Sequence, residues 1–482
     1  MTARLVFGQA EIPSSTLEES VRRTAGGLER LGVGERDVVC LMLHNSPAFL
    51  EAMLAARLIG AYYCPINWHY KAAEAGWMLR DSGARALVIE RELRSQIDHD
   101  FPKKLEILDP EDASWHAPWS QTPRAPGGMM PYTSGTTGRA KGVRRLAPEP
   151  RQVEAMAALV ASVLGIEPGM RALLSAPLYH SAPAGYALYS MLSGELLALE
   201  ERFDAERTLA LIQELKLTHA YLVPTMYVRL LRLSSDVKAR YDVSSIRFVA
   251  STGSPCPAEV KRAMIDWWGP VFHESYAASE LGYVTAISSA EALRKPGSAG
   301  RPAGQATIRI LDAEGRELPR GEVGLIYARQ PAYPDFAYNN DPESRRGLER
   351  DGLCSLGDMG FIDDDGYLYV CDRASDMVIS GGVNIYPAEI EAALALMPGV
   401  RDCAVFGVPD AEFGEALAAA VQLEPEVTLT PSAMRDFLSS KIAAYKIPKI
   451  VTFHDTLPRE DSGKIFKRRL RAPYWEKSGR KI

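Results

Sequence analysis

LLSAPLYHSAPAGYALYSMLSG (173–194) decides what kind of molecule this chain makes. With Ala172 it forms a run of twenty-three residues between Arg171 and Glu195 that lacks Asp, Glu, Lys and Arg, long enough to cross a bilayer. Yet Pro177, Tyr179, His180, Pro183 and several Ser and Gly interrupt it. Polar and helix-breaking residues at that density read as a buried strand, a turn and a core helix, not as a transmembrane segment. The expectation is a layered globular protein.

The rhythm on either side agrees. Residues 15–110 alternate helical stretches such as TLEESVRRTAGGLERLG (16–32) with short apolar runs, VVCLML (38–43) and ALVIE (86–90). The alternation resumes in ALLSAPL (172–178), FDAERTLALIQELK (203–216), HAYLVPT (219–225) and IRFVAS (246–251). This is α/β texture, in which ligands gather at the ends of strands. From about 300 to 372 the texture changes to short β-type runs, ATIRILDAEGREL (306–318) and GFIDDDGYLYVCDR (360–373), as in a small antiparallel or barrel-like unit. After Ser375 comes YPAEIEAALALM (386–397). There Pro387 suits a first helical turn, Glu389 and Glu391 favour the N-terminus, and Ile390, Leu394 and Met397 share a face. A domain boundary is expected near 373–376.

DDDG (363–366) invites a calcium test. With Gly366 at the sixth position of an EF-hand loop, Phe361 falls on the first ligand and Asp372 on the bidentate Glu, so a hairpin turn at Asp365-Gly366 is the better reading.

Composition narrows the classes. The 482 residues are 46% hydrophobic, enough for about three domain-sized units with real cores. A net charge of −6 gives no basic field for nucleic acid, although the last nineteen residues carry eight Lys/Arg against one Glu. The six cysteines are scattered without a CxxC pair, which fits buried thiols in the cytoplasm. MTARLVFGQAEIP at the start lacks the apolar core of a signal peptide.

YTSGTTGRAKGVRR (132–145) carries the chemistry. Gly135 and Gly138 let backbone N–H groups approach a bulky anion, Thr133, Ser134, Thr136 and Thr137 add hydroxyl donors, and Lys141 follows. A polyphosphate fits. Laid on the P-loop pattern from Gly135, however, the stretch puts Ala140 at the second Gly and Gly142 at the magnesium-binding hydroxyl. A flexible loop before a solvated basic face is the competing reading.

Further motifs resolve the choice. YTSGTTGRAKGV (132–143), STGSPCP (251–257), YAASE (276–280), GDMGFIDDDGYLYVCDRASDMVISGGVNIYPAEIE (357–391) and LPREDSGKIFKRRLR (457–471) together resemble the adenylate-forming, AMP-binding acyl-CoA synthetase family from about residue 15 onward. The resemblance implies an α/β multidomain protein. Residues 1–373 would form two layered α/β subdomains plus a small β-barrel, and 374–482 a mobile α+β C-terminal domain. The implied reaction joins a carboxylic acid to the α-phosphate of ATP, releases pyrophosphate, and transfers the acyl group to the thiol of coenzyme A.

Two anions must meet in such a reaction, so cations and fixed donors have to converge. By the resemblance, Thr133 to Gly138 (Thr133, Ser134, Gly135, Thr136, Thr137, Gly138) with Lys141 hold phosphates, and Ser279 stands where a Thr is usual. Glu280 ligates Mg²⁺, which prefers a carboxylate plus phosphate oxygens. Gly253, Ser254 and Pro255 with Tyr276, Ala277 and Ala278 form the adenine slot, Asp358 takes the ribose hydroxyls, and Arg373 lies nearby. Lys464 is the implied catalytic lysine, an ammonium able to bridge carboxylate and α-phosphate. His180 is assigned to the acyl pocket, Ser375 to the hinge, and Gly381-Gly382 to the face that meets coenzyme A.

Ala140, Ala277, Leu356, Asp372 and Ser375 depart from the family pattern. Ala140 removes no donor, Ala277 adds a Cβ near adenine, and a small hinge residue still permits rotation. The pocket segments 176–186, 221–227 and 250–254 mix Ala, Pro, Tyr and Leu without a cation, pointing to an apolar fatty, aromatic or alicyclic acid. A stand-alone acid:CoA ligase leads. An adenylation enzyme loading a carrier protein in trans and a non-enzymatic nucleotide-binding protein compete with it. The sequence leaves the oligomeric state open, a homodimer included.

Overall fold

A computed structural model describes residues 1–95, 97, 101–102, 104–133, 140–410, 412–459 and 465–478. The apolar runs near the N-terminus become a four-stranded parallel sheet in the order Tyr62–Pro65, Val38–Met42, Ala86–Ile89, Glu106–Leu108. Val38–Met42 is buried along its whole length, as a strand covered on both faces must be. A nine-stranded sheet stands beside it. Its strands Arg4–Phe7, Leu196–Leu199, Arg171–Leu174, His219–Tyr221, Phe248–Thr252 and Phe272–Ala278 run parallel, with Gly282–Ser288 antiparallel at one end.

The stretch 173–194 folds as its interruptions require. Arg171–Leu174 is a strand inside the large sheet, and Ser181–Ser193 is a helix whose Ala184, Tyr186, Ala187 and Met191 are fully buried. Among the described residues no helix is long and apolar enough to cross a membrane. One feature was not legible: Arg4–Phe7 leaves its sequence neighbours and pairs with Leu196–Leu199, so one apolar core runs through both sheets.

The β-type texture of 306–373 is an antiparallel sheet in which Gly324–Arg329 pairs with Thr307–Leu311 on one side and with Asp358–Ile362 and Leu353–Cys354 on the other. Asp358–Ile362 and Leu368–Arg373 form the expected hairpin, closed by the Gly366 N–H to Asp363 carbonyl bond of 3.0 Å with Gly366 in the left-handed region, φ 82°. The aspartates of that turn bind a lysine: Lys295 Nζ lies 2.9 Å from Asp363 and also contacts Asp365.

Beyond Arg373, a five-stranded sheet has its own core, including Val378, Ile390, Leu394, Val405 and Leu438. Pro387–Ala395 is the expected helix, with Pro387 in its first turn and Ile390 and Leu394 fully buried. Glu391 does more than favour the helix N-terminus. It accepts from Val405 N–H at 2.7 Å and pairs with Lys467 Nζ at 2.8 Å.

Candidate active site

The site grows from the carboxyl ends of two parallel strands. Phe248–Thr252 and Phe272–Ala278 pair so that Thr252 faces Ser275, and the Thr252 hydroxyl donates to the Ser275 carbonyl at 2.8 Å. The turn Gly253-Ser254-Pro255 therefore emerges beside Tyr276-Ala277-Ala278, and both line one cleft of about 3520 Å³. Ligands collect at such strand ends because loops diverge there.

Glu280 follows in the tight turn between Phe272–Ala278 and Gly282–Ser288 and is only 6% exposed. Its Oε1 accepts from the Thr133 hydroxyl at 2.8 Å and from the Tyr338 hydroxyl at 3.0 Å, whereas Oε2 accepts no hydrogen bond among the described residues. A carboxylate oriented through one oxygen with the other open to the cleft suits a hard divalent cation that completes its shell with phosphate oxygens. No group of three or more His, Cys, Asp or Glu able to hold a metal exists among the described residues. Glu280 is thus the residue of this turn whose donor chemistry fits such a cation. Burial, then the Glu280 charge, push the Tyr338 phenol above its ordinary range.

Asp358 and Arg373 face each other across their hairpin, with Nε 3.4 Å from Oδ1. Asp358 Oδ2 accepts from the Tyr276 hydroxyl at 2.6 Å, which ties the β unit to the large sheet. Lys141 opens the strand Lys141–Arg145, lies 3.0 Å from Asp341 and contacts the Ser344 hydroxyl. The hydrogen bond from Ser344 and the Lys141 charge hold the Asp341 carboxyl down to about 2. Ser279 Oγ sits 3.3 Å from Ser181 Oγ, at the start of the helix that His180 precedes, and His180 lines the cleft with its ring 4.5 Å from that of Tyr179. Ser375 also lines it, and its carbonyl accepts from Arg471 at 3.0 Å.

Not every expected residue joins. Gly381 and Gly382 form the two-residue turn between Val378–Ser380 and Val383–Ile385, both with positive φ, and do not line the cleft. Ser134, Gly135, Thr136, Thr137, Gly138 and Lys464 lie outside the described residues. Their described neighbours Thr133, Ala140, Arg459 and Ile465 line the cleft, and the Ala140 carbonyl is pinned by Trp77 Nε1 at 3.1 Å.

Sequence reasoning missed the supports. The Arg145 guanidinium donates to the carbonyls of Ser279 at 2.7 Å, Glu280 at 3.1 Å and Pro334 at 2.9 Å, fixing the turn that presents Glu280. Asp372 accepts from Ala388 N–H at 2.8 Å and is raised by burial. Although burial opposes its charge, Lys467 is held above its usual range by Glu391 and Asp372. Arg57, outside the segments read as the pocket, supplies a cation on the same cleft. Only the arginine pair at 144–145 hinted at any of this.

Known proteins match this chain along its length. A family model described as AMP-binding enzyme matches residues 4–333, and one described as AMP-binding enzyme C-terminal domain matches 389–464. The chain is 34% identical over 471 residues to a feruloyl-CoA synthase of Amycolatopsis sp, covering 96% of this chain and 94% of the relative. It is 31% identical over 483 residues to ScoC of Streptomyces coeruleorubidus, a fatty acid–[acyl-carrier-protein] ligase, covering 97% and 92%. The o-succinylbenzoate CoA synthetase MenE of Bacillus subtilis, solved with its acyl-adenylate intermediate OSB-AMP, superposes with a TM-score of 0.84 at 27% identity, covering 97% of this chain and 95% of that one.

Proposed function

The chain belongs to the AMP-binding enzyme family of ATP-dependent acyl-CoA synthetases, and from that premise we propose that it is an AMP-forming acid:CoA ligase acting on an apolar carboxylic acid. A carboxylate oxygen attacks the α-phosphorus of ATP, the bond to the β-phosphate breaks, and pyrophosphate leaves. The sulfur of coenzyme A then attacks the acyl carbon, AMP leaves, and the thiol proton passes to solvent.

In this reading the chain's own residues position and neutralise. Thr133 to Gly138 with Lys141 hold the phosphates beside Ser279. Glu280, oriented by Thr133 and Tyr338, would hold Mg²⁺, which supplies charge neutralisation on the phosphates when bound. Adenine lies between Gly253–Pro255 and Tyr276–Ala278, and the ribose meets Asp358 near Arg373. Lys464 comes from a C-terminal domain, 374–482, that turns about Ser375 and brings Gly381-Gly382 to coenzyme A. His180 borders the acid.

The observation that carries the proposal is the Glu280 carboxylate, buried and held through one oxygen with the other open to the cleft, at the strand end where nucleotide and acid must meet. The test is acid-dependent pyrophosphate release with and without coenzyme A, then with a carrier protein. Release that turns over only with coenzyme A supports the ligase, and none with any acid overturns it. The likeness to ScoC favours carrier-protein loading as the second reading. Turnover with carrier protein and not with coenzyme A would establish it.

A further inference from the structure

Five tyrosines set one wall of the cleft apart. Tyr63, Tyr189, Tyr221, Tyr283 and Tyr333 all line it. Four come from the strands Tyr62–Pro65, His219–Tyr221 and Gly282–Ser288 and the helix Ser181–Ser193, and the fifth from the turn after Gly324–Arg329. Tyr63, Tyr221 and Tyr283 are 3%, 1% and 7% exposed. None of the five hydroxyls has a hydrogen-bond partner among the described residues. Among the described residues the tyrosine hydroxyls sealed without a partner are those of Tyr186 and Tyr227, so the five on the cleft keep surface that a bound molecule can reach. Five together on one wall form a set of donors waiting for acceptors.

The wall is built for these rings. Gly282 is left-handed, φ 78°, and a Cβ there would stand 2.3 Å from the Tyr333 ring, so the missing side chain makes room for it. The Arg145 guanidinium covers that ring at 4.8 Å. Tyr186, fully buried, backs Tyr221 with ring centroids 5.6 Å apart. Burial pushes the Tyr63 phenol up to about 12 and raises Tyr283, on which Tyr333, Tyr221 and Tyr189 act in turn. At neutral pH each therefore carries its proton and can donate it. Tyr283 pairs across its hairpin with Ala277, so this phenol stands next to the proposed adenylate.

We propose that the acid is aromatic and bears a hydroxyl or alkoxy oxygen remote from its carboxylate, held by this phenol cluster, with Tyr221 and Tyr283 determining the preference. The proposal rests on the acid:CoA ligase reading and deepens it. Aromatic rings pack well against tilted tyrosines, and a remote oxygen satisfies donors that an alkyl chain would leave unpaired. A site that hydrogen-bonds a substrate hydroxyl discriminates strongly against the analogue lacking it.

The test compares kcat/KM for pyrophosphate release with 4-hydroxycinnamate, cinnamate, 4-carboxycinnamate and decanoate, in the full chain and in its Tyr221→Phe and Tyr283→Phe variants. The expected result is a preference for the hydroxylated acid over cinnamate of about tenfold or more, collapsing toward unity in at least one variant. Because Phe keeps the ring, a collapse reports the hydroxyl and not the packing. Equal or better use of cinnamate or decanoate overturns the proposal, as does a preference retained in both variants. Preference for 4-carboxycinnamate overturns it too, pointing instead to Arg57. Release with unsubstituted acids alone defeats only the phenol assignment, whereas no release with any acid defeats the ligase reading beneath it.

Discussion

The two walls of the cleft solve opposite problems. On the side proposed for the nucleotide, Glu280 is held by Thr133 and Tyr338, Asp358 by Tyr276, and Arg145 by three carbonyls. On the side proposed for the acid, five phenols have no partner among the described residues. Chemistry on phosphate needs charges fixed before the reaction, because rearranging them at the transition state would cost part of the barrier being lowered. Recognition of one acid among many needs donors kept unspent until that acid arrives. The same fold carries a pre-assembled wall and a receptive one.

Breaking the assembled wall should cost most. Lys464→Ala should lower acid-dependent pyrophosphate release by about 10²–10³-fold, the usual loss when one preorganised electrostatic partner is removed. A loss below threefold would mean that the lysine is a solvated tail residue. Glu280→Gln comes next, with a fall of about 10²-fold and a raised magnesium requirement, read by titrating Mg²⁺ in the same assay.

Arg145→Ala separates support from chemistry, because Arg145 holds the turn without belonging to the proposed reaction. Bonds from a charged donor are worth about 1.5–3 kcal/mol, so urea unfolding should show a loss of about 2–3 kcal/mol. The KM for ATP should rise as the turn bearing Ser279 and Glu280 loosens. Unchanged stability would show that the three carbonyls find other partners.

The placement of the residues proposed for the nucleotide was largely legible because they come in contiguous runs at strand ends. YAASE delivers Tyr276 and Glu280 on one turn, and GDMGF and VCDR deliver Asp358 and Arg373 onto one hairpin. The supports were not. Thr133 and Glu280 are 147 residues apart, and Tyr338 and Glu280 are 58 apart, so no local pattern announces that they bond. The phenols come from five places in the chain and look like ordinary core tyrosines. Only Tyr186 and Tyr189, three apart on one helix, carried a local hint. The pairing of Arg4–Phe7 with Leu196–Leu199 was equally silent, since a short apolar run does not name its partner.

Changes of pH should matter least. Burial raises all five phenols, so their folded pKa values exceed the ordinary value near 10 and the protonated form persists below it. The ratio of kcat/KM for 4-hydroxycinnamate to that for cinnamate should therefore stay flat from about pH 6 to pH 8, below the titration of the substrate's own phenol. A ratio that changes tenfold across that window would mean that another group on the wall titrates.

The fate of ATP labelled at the α-phosphate, followed with magnesium, coenzyme A and 4-hydroxycinnamate present, distinguishes adenylation from every other use of ATP. Label should appear first in an acyl-adenylate and then in AMP, matched mole for mole by pyrophosphate and thioester. Label recovered as ADP, or left in ATP while no acid becomes activated, would contradict adenylation.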